Sequence, residues 1–336
     1  MEYGRIIKRA IDVTWRNKVL WIFGIAIALF AGGSGGVPNF QFSFNRSDVE
    51  RWFDGVGPRI PFSPSPRMGS LFDPALVAMV VVAILAFALV LFVASIIVRY
   101  TGEGALIGMV NEIEEVESTN FRSGLRTGWS RLLRLFAIDL LIGIVIFAVL
   151  VVLVVIAGIA VAATITLLWL LFQGGEGLAV PGGIATVIGL LLFILVAVAI
   201  ALVVSGVVTI VREMAFRTSV IERRGVFDSL GAGIALLRTR LRETGLMWLL
   251  LLAINLAVGI VTAPLVLLGI GVIIIPALIG LRVGETPVAA LLAAGPFILL
   301  LVVVGALLAG VYTVFQSAVW TLTFRELQAG EIVAEA

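Results

Sequence analysis

The sequence predicts an all-α fold, a polytopic membrane protein with six transmembrane helices in three hairpin repeats joined by cytoplasmic amphipathic elbow helices. Composition is the first observation behind this. Of the 336 residues, 61% are hydrophobic and 13% charged, and the mean hydropathy is +1.19, outside the range of soluble domains. Span length is the second, because several uninterrupted apolar runs reach the roughly 20 residues of helix that a bilayer core requires. An internal match is the third. Glu103, Ala105, Leu106, Val110 and Glu112 stand 110 positions before Glu213, Ala215, Phe216, Val220 and Glu222, and Val319, Trp320, Phe324 and Glu326 repeat most of the pattern 104 positions later. A period of about a hundred residues divides the chain into units of about 3–117, 121–226 and 227–328 within a single membrane domain.

The first element is amphipathic. Ile6, Ile7, Ala10, Val13 and Leu20 recur at helical spacing, with Arg5, Lys8, Arg9, Arg16 and Lys18 elsewhere round the wheel. A long basic region interleaved with apolar residues does not fit a cleaved signal peptide. The span that follows starts near Val19, flanked by Trp15 and Trp21 at headgroup depth. It stops after Ala31 and is short, so the amphipathic helix and the span are expected to be nearly continuous. Residues 32–73 form the long polar loop, rich in proline and in aromatics such as Phe40, Phe42, Phe44, Trp52 and Phe53. This loop is expected to dock a partner on the outer side or to lie on headgroups.

The second span, Pro74 to Val98, runs into the first elbow, whose helix should continue until Ser118 to Asn120 break it. Phe121 to Arg134 then forms a basic amphipathic piece. Leu135 to Phe172 holds one charge, Asp139, and is too long for one upright crossing, so its part beyond Gly158 should tilt, kink or lie on the outer surface. Ile184 to Val211 returns to the second elbow. Leu246 to Gly280 leaves it again, with Pro264 and Pro276 expected to bend or break the helix, and Val288 to about Val314 comes back. This arrangement puts 18 of the 23 basic residues on the side of the elbows and termini, which is the cytoplasmic side by the positive-inside rule.

The opening RAIDVTWRNKVLWIFG and the elbow VIERRGVFDSLGAGIALLRTRLRE resemble a large group of poorly characterised bacterial polytopic proteins, related to the membrane domain found ahead of some glycerophosphodiester phosphodiesterases. The resemblance implies location in the bacterial cytoplasmic membrane. In those enzymes catalysis belongs to a separate soluble barrel with His and carboxylate metal ligands. No segment of this chain could be that barrel, so the resemblance implies the accessory membrane part alone.

Candidate functional residues are few. Asp139 stands about one turn into its span and fits either a proton or cation site or a pairing near the surface with Arg134 or water. Asn255 could line a polar cavity or make one interhelical hydrogen bond. Glu103 and Glu213, where spans meet elbows, are expected to pair with Arg99, Arg212 or a neighbouring elbow. In each elbow a carboxylate (Glu112, Glu222, Glu326) follows an apolar residue two or three positions earlier, at the edge of a buried face. Basic residues including Arg126, Arg223 and Arg238 are available on the same side for structural pairing. The elbows are thus expected to pack into one cytoplasmic platform, with Glu114 on its solvated side and leftover arginines facing anionic headgroups.

These features favour a non-catalytic structural or accessory protein that binds membrane lipids or partner membrane proteins through its elbows and outer loop. The alternative is a transporter or lipid-handling protein with a pathway between the repeats, against which stands the scarcity of polar groups in the spans. Enzyme activity is not expected, since no paired carboxylates or nucleophile and base can be placed together on one span. A net charge of +2 gives no reason to expect nucleic acid, and no cofactor is expected. With no Cys and no His in the chain, imidazole and thiolate ligation are excluded. Elemental analysis of the purified protein should therefore find no stoichiometric zinc or iron. One such ion per chain would contradict the reading.

Overall fold

The computed structural model describes residues 1–31, 74–116, 118–173, 176–284 and 287–335. The outer loop at 32–73 lies outside them. Among the described residues there are eight helices and no strand: α1 (Tyr3–Arg16), α2 (Val19–Ala31), α3 (Pro74–Val116), α4 (Phe121–Gln173), α5 (Glu176–Ile221), α6 (Val226–Thr239), α7 (Leu241–Gly284) and α8 (Pro287–Glu335). Five of them are long and apolar enough to cross a membrane, and α1 with α2 make a sixth if that bent pair counts as one span.

Contacts divide the chain into two compact units. One comprises Met1–Leu20, Tyr100–Ile254 and Val314–Ala336, and the other Trp21–Arg99 and Asn255–Thr313. In the first unit α1 buries Ile6, Ala10, Val13 and Thr14, a stripe with the spacing of one helical face. The apolar positions aligned by the internal match are buried in all three segments: Ala105, Leu106 and Val110 in α3, Ala215, Phe216 and Val220 in α5, and Val319, Trp320 and Phe324 in α8.

Two close approaches in this unit have the same form. A Cβ added to Gly128 of α4 would fall 2.0 Å from the Thr101 carbonyl oxygen and 3.0 Å from the Ala105 nitrogen of α3. One added to Gly233 of α6 would fall 2.9 Å from the Val211 carbonyl oxygen and 3.2 Å from the Ala215 nitrogen of α5. Thr101 and Ala105 are the residues that the 110-residue period aligns with Val211 and Ala215. In the second unit, Gly310 of α8 meets the Ile25 backbone of α2, and Gly269 of α7 meets the Leu301 side chain of α8.

Three expectations about helix continuity are corrected. α1 and α2 are not nearly continuous but meet at 94°. Asn17 accounts for the stop, because its backbone amide and its side-chain amide both donate to the Val13 carbonyl, at 3.2 and 3.1 Å, and close α1 there. Of the bend or break expected in the fifth apolar run, the break does not occur, since α7 passes through Pro264 and Pro276. Each proline removes one amide donor from the helix. The basic piece 121–134 is not a helix apart from its span, for α4 continues from Phe121 past Asp139 and Gly158 to Gln173.

Because added atoms in a tight contact cost about 1–3 kcal/mol, Gly128→Ala and Gly233→Ala should each lower the thermal midpoint in detergent. Gly231→Ala meets open space within the same α6. It should hold or raise the midpoint through helix propensity, a gain of up to about 1 kcal/mol.

Candidate functional site

The first unit contains a cluster of charges drawn from three helices. Arg212 of α5 is its hub. Nε donates to Asp139 Oδ1 of α4 at 2.7 Å, Nη2 donates to both carboxylate oxygens of Glu103 of α3 at 3.0 and 3.2 Å, and Nη1 donates to Glu213 Oε1 at 3.3 Å. The Phe216 ring packs 4.4 Å from the guanidinium carbon, adding a cation–π contact. Tyr100 OH donates to the other Asp139 oxygen at 2.7 Å, and its ring stands edge-on to Phe136. The side chains of Arg212 and Glu103 are only 14% and 11% exposed, so these contacts are poorly screened by water.

Arg217, one turn further along α5, is 1% exposed. Nη1 donates to Glu213 Oε2 at 2.6 Å and to the Glu213 carbonyl at 2.7 Å, while Nη2 donates to the Ser317 carbonyl of α8 at 3.2 Å. Nη1 of Arg325 on α8 donates to the carbonyl and the side-chain oxygen of Asn111 on α3, at 3.2 and 2.9 Å. Each pair of the three matching segments is thus tied by an arginine: Arg212 joins the second to the first, Arg217 the second to the third, and Arg325 the third to the first. Among the described residues no group of three or more acidic side chains is placed to hold a metal ion.

The model of a family of unknown function, DUF7544, matches residues 7–325, a stretch that takes in every member of this cluster. The chain belongs to that family. No curated protein and no solved structure matches it. The implied relation to the membrane domain of glycerophosphodiester phosphodiesterases is therefore unsupported, and membership of DUF7544 is what stands.

The carboxylates that the sequence assigns to elbows have these surroundings. Glu112 accepts from the hydroxyls of Thr119 and Ser123, on the connection into α4 and in its first turn. Glu222 pairs with Arg224 and accepts from Gln328 of α8. Glu326 accepts from the Glu2 amide at 3.2 Å and lies 3.8 Å from Arg5. Arg126, Arg223 and Arg238 are exposed and form no ion pair with these carboxylates among the described residues. Arg126 instead lines an open trough along the first turns of α4, together with Arg122, Leu125 and Trp129. Glu114 does not stand on a solvated side, because it accepts from Arg9 Nε of α1 at 2.8 Å. Asp139 pairs with Arg212, not Arg134, and the Asn255 side-chain oxygen is buried without a hydrogen bond among the described residues.

Sequence reasoning missed Arg217, Tyr100, Gln328 and the Arg325–Asn111 bond. For Arg217 a signal existed. The internal match aligns it with Ile107 and Thr321, positions that are both buried, so a guanidinium in that register had to be buried and therefore paired.

Removing one partner of a buried ion pair costs on the order of 3–5 kcal/mol, and Arg212 serves three carboxylates. Arg212→Gln should accordingly lower the thermal midpoint by several degrees, and Glu103→Gln by less, since Asp139 and Glu213 would remain on the hub. Arg238→Gln, at an exposed position, is the control and should melt with the wild type. Equal melting of all four proteins would show that the cluster contributes nothing to stability.

Proposed function

We propose that this DUF7544 chain is a non-catalytic structural or accessory protein of the bacterial cytoplasmic membrane. On this reading both termini are cytoplasmic, and units 3–117, 121–226 and 227–328 are three parallel hairpin repeats whose elbows lock into one cytoplasmic platform. That platform, with the outer loop 32–73, binds lipid or partner membrane proteins. The observation that carries the reading is the closed set of three arginine ties, which joins every pair of matching segments. The repeated burial pattern and the equivalent contacts of Gly128 and Gly233 support the repeats.

A non-catalytic role is favoured because the carboxylates of the cluster are held by guanidinium and hydroxyl groups, an arrangement that suits a fixed support. In a natural chain without cysteine, single introduced cysteines report topology cleanly. An impermeant maleimide applied to intact cells should label Ser47→Cys and Gly284→Cys but not Ser130→Cys or Thr239→Cys. In native membranes, Glu222→Cys with Gln328→Cys should form an intramolecular crosslink. After mild detergent extraction the protein should retain lipid or a partner chain through size exclusion. Protein that runs alone and lipid-free, or labelling of Thr239→Cys from outside, would overturn the reading.

A further inference from the structure

The first turns of α4 have two faces. One packs into the unit, with Gly124, Gly128, Leu135 and Ile138 buried. The opposite face is bare. Arg122, Arg126, Trp129, Leu133, Leu140 and Ile144 succeed one another at steps of three, four or seven residues, so they form a single stripe along the helix. All six are exposed, Trp129 and Leu133 at 63% and 76%. At the start of this stripe the side chains of Arg122, Leu125, Arg126 and Trp129 line one open trough.

The two guanidinium groups in the trough lack an anion. Among the described residues neither Arg122 nor Arg126 forms an ion pair. Glu112, which reaches the rim of the trough at Ser123, accepts instead from the hydroxyls of Thr119 and Ser123. Ser130, also on the rim, donates to the Thr127 carbonyl at 2.9 Å. The trough therefore presents uncompensated positive charge beside an indole ring.

The order of side chains along the stripe indicates what covers it. From the start of α4 it runs from cations through an indole to aliphatic groups, and it passes into the exposed apolar stretch of the same helix, which is long enough to cross a membrane. No polar side chain interrupts the stripe, as one would where a protein footprint gave way to lipid. The rise from Arg126 to Leu133 is about 10 Å, against a headgroup layer roughly 5–8 Å deep, and a guanidinium on its flexible stem spans the difference. Cations among phosphates, an indole at headgroup depth and aliphatic groups against acyl chains are the distribution of a helix crossing a membrane interface.

We propose that Arg122, Arg126 and Trp129 form a headgroup site for an anionic phospholipid, whose acyl chains lie along Leu133, Leu140 and Ile144 of the same face. The guanidinium groups pair with the phosphate, and the indole packs beside the glycerol. This site deepens the lipid-binding part of the proposed function and rests on its topology for the choice of the inner leaflet.

The test uses the full-length protein in detergent, with phosphatidylglycerol, phosphatidylcholine or inorganic phosphate added, read by native mass spectrometry and by tryptophan fluorescence. Wild type should retain phosphatidylglycerol in preference to phosphatidylcholine, and inorganic phosphate should not displace it. Arg122→Gln with Arg126→Gln should weaken that retention about tenfold or more. Arg122→Lys with Arg126→Lys should keep part of it, and Arg238→Gln should keep all of it. Because both arginines are exposed, the Gln double variant should melt with the wild type when no lipid is added, and a lower midpoint would make them supports of the fold and count against the site. The emission of Trp129, taken as the difference between wild type and Trp129→Phe, should be quenched by phosphatidylglycerol brominated on its acyl chains. Equal retention of phosphatidylglycerol by wild type and the Gln double variant overturns the proposal. Trp129 emission untouched by the brominated lipid, the result expected if a protein covers this face, overturns it too. The maleimide topology can fail without altering these comparisons, and they can fail while lipid is retained elsewhere on the protein, so the two readings fail separately.

Discussion

A guanidinium inside a packed helical unit is the constraint on which the rest of this structure depends. Arg217 is 1% exposed, and a charge taken that far from water is tolerated only where carboxylate and carbonyl oxygens replace its hydration. Glu213 provides both a side-chain and a main-chain oxygen one turn earlier on α5, and the Ser317 carbonyl comes from α8. Since Glu213 also faces Arg212, the two arginines share one carboxylate, and Arg212 must draw the rest of its compensation from Glu103 and Asp139. The positions of α3, α4 and α8 around α5 follow from that demand as much as from apolar packing.

The location of this unit along the helices follows from the solvent each stretch meets. Between transmembrane helices lipid supplies no hydrophobic driving force, since acyl chains are as apolar as leucine. The apolar stretches of α3 and α5 are exposed, from Ala78 to Val93 and from Val187 to Val204, whereas Tyr100 to Ile113 and Ile210 to Val220 of the same helices carry the buried side chains. Where water is available, burying Leu106, Met214, Phe216 or Phe324 is favourable by the ordinary hydrophobic effect. Specific association is therefore concentrated at the ends of the apolar stretches, where the matching segments lie.

Much of this was legible before any coordinates. The stripe of Ile6, Ala10 and Val13, the apolar spans, and the register shared by Ala105, Ala215 and Val319 are local or periodic signals, and burial follows the stripe and the register closely. Glu103 and Glu213 were placed near Arg212 by charge and position alone. Three features resisted sequence reading, each because a nonlocal or finely balanced term decides it. Asn17 ends α1 by bonding back to Val13, an option its side chain offers without requiring. The prolines of α7 left the helix unbroken, where a bend or a break was expected. The partners of Glu114, Glu222 and Arg325 lie roughly a hundred or more residues away in the chain, and the choice between neighbouring arginines depends on how segments approach, which periodicity does not encode.

The three matching segments are alike in their apolar positions and unlike in their charges, and the difference has a physical use. Glu103 and Glu213 align with Ser317, and Arg217 aligns with Ile107 and Thr321, so the second copy alone carries both the buried arginine and the carboxylate that serves it. Three segments with interchangeable apolar faces could associate in more than one order, because burial of Leu106, Phe216 and Trp320 distinguishes poorly among them. Charge does distinguish. Placing Arg217 against a segment that offers no oxygen, or Arg212 against one lacking Glu103, would leave a guanidinium buried and uncompensated, at a cost that apolar packing cannot recover. The shared apolar positions thus provide a common core, and the charges the segments do not share determine which segment lies beside which.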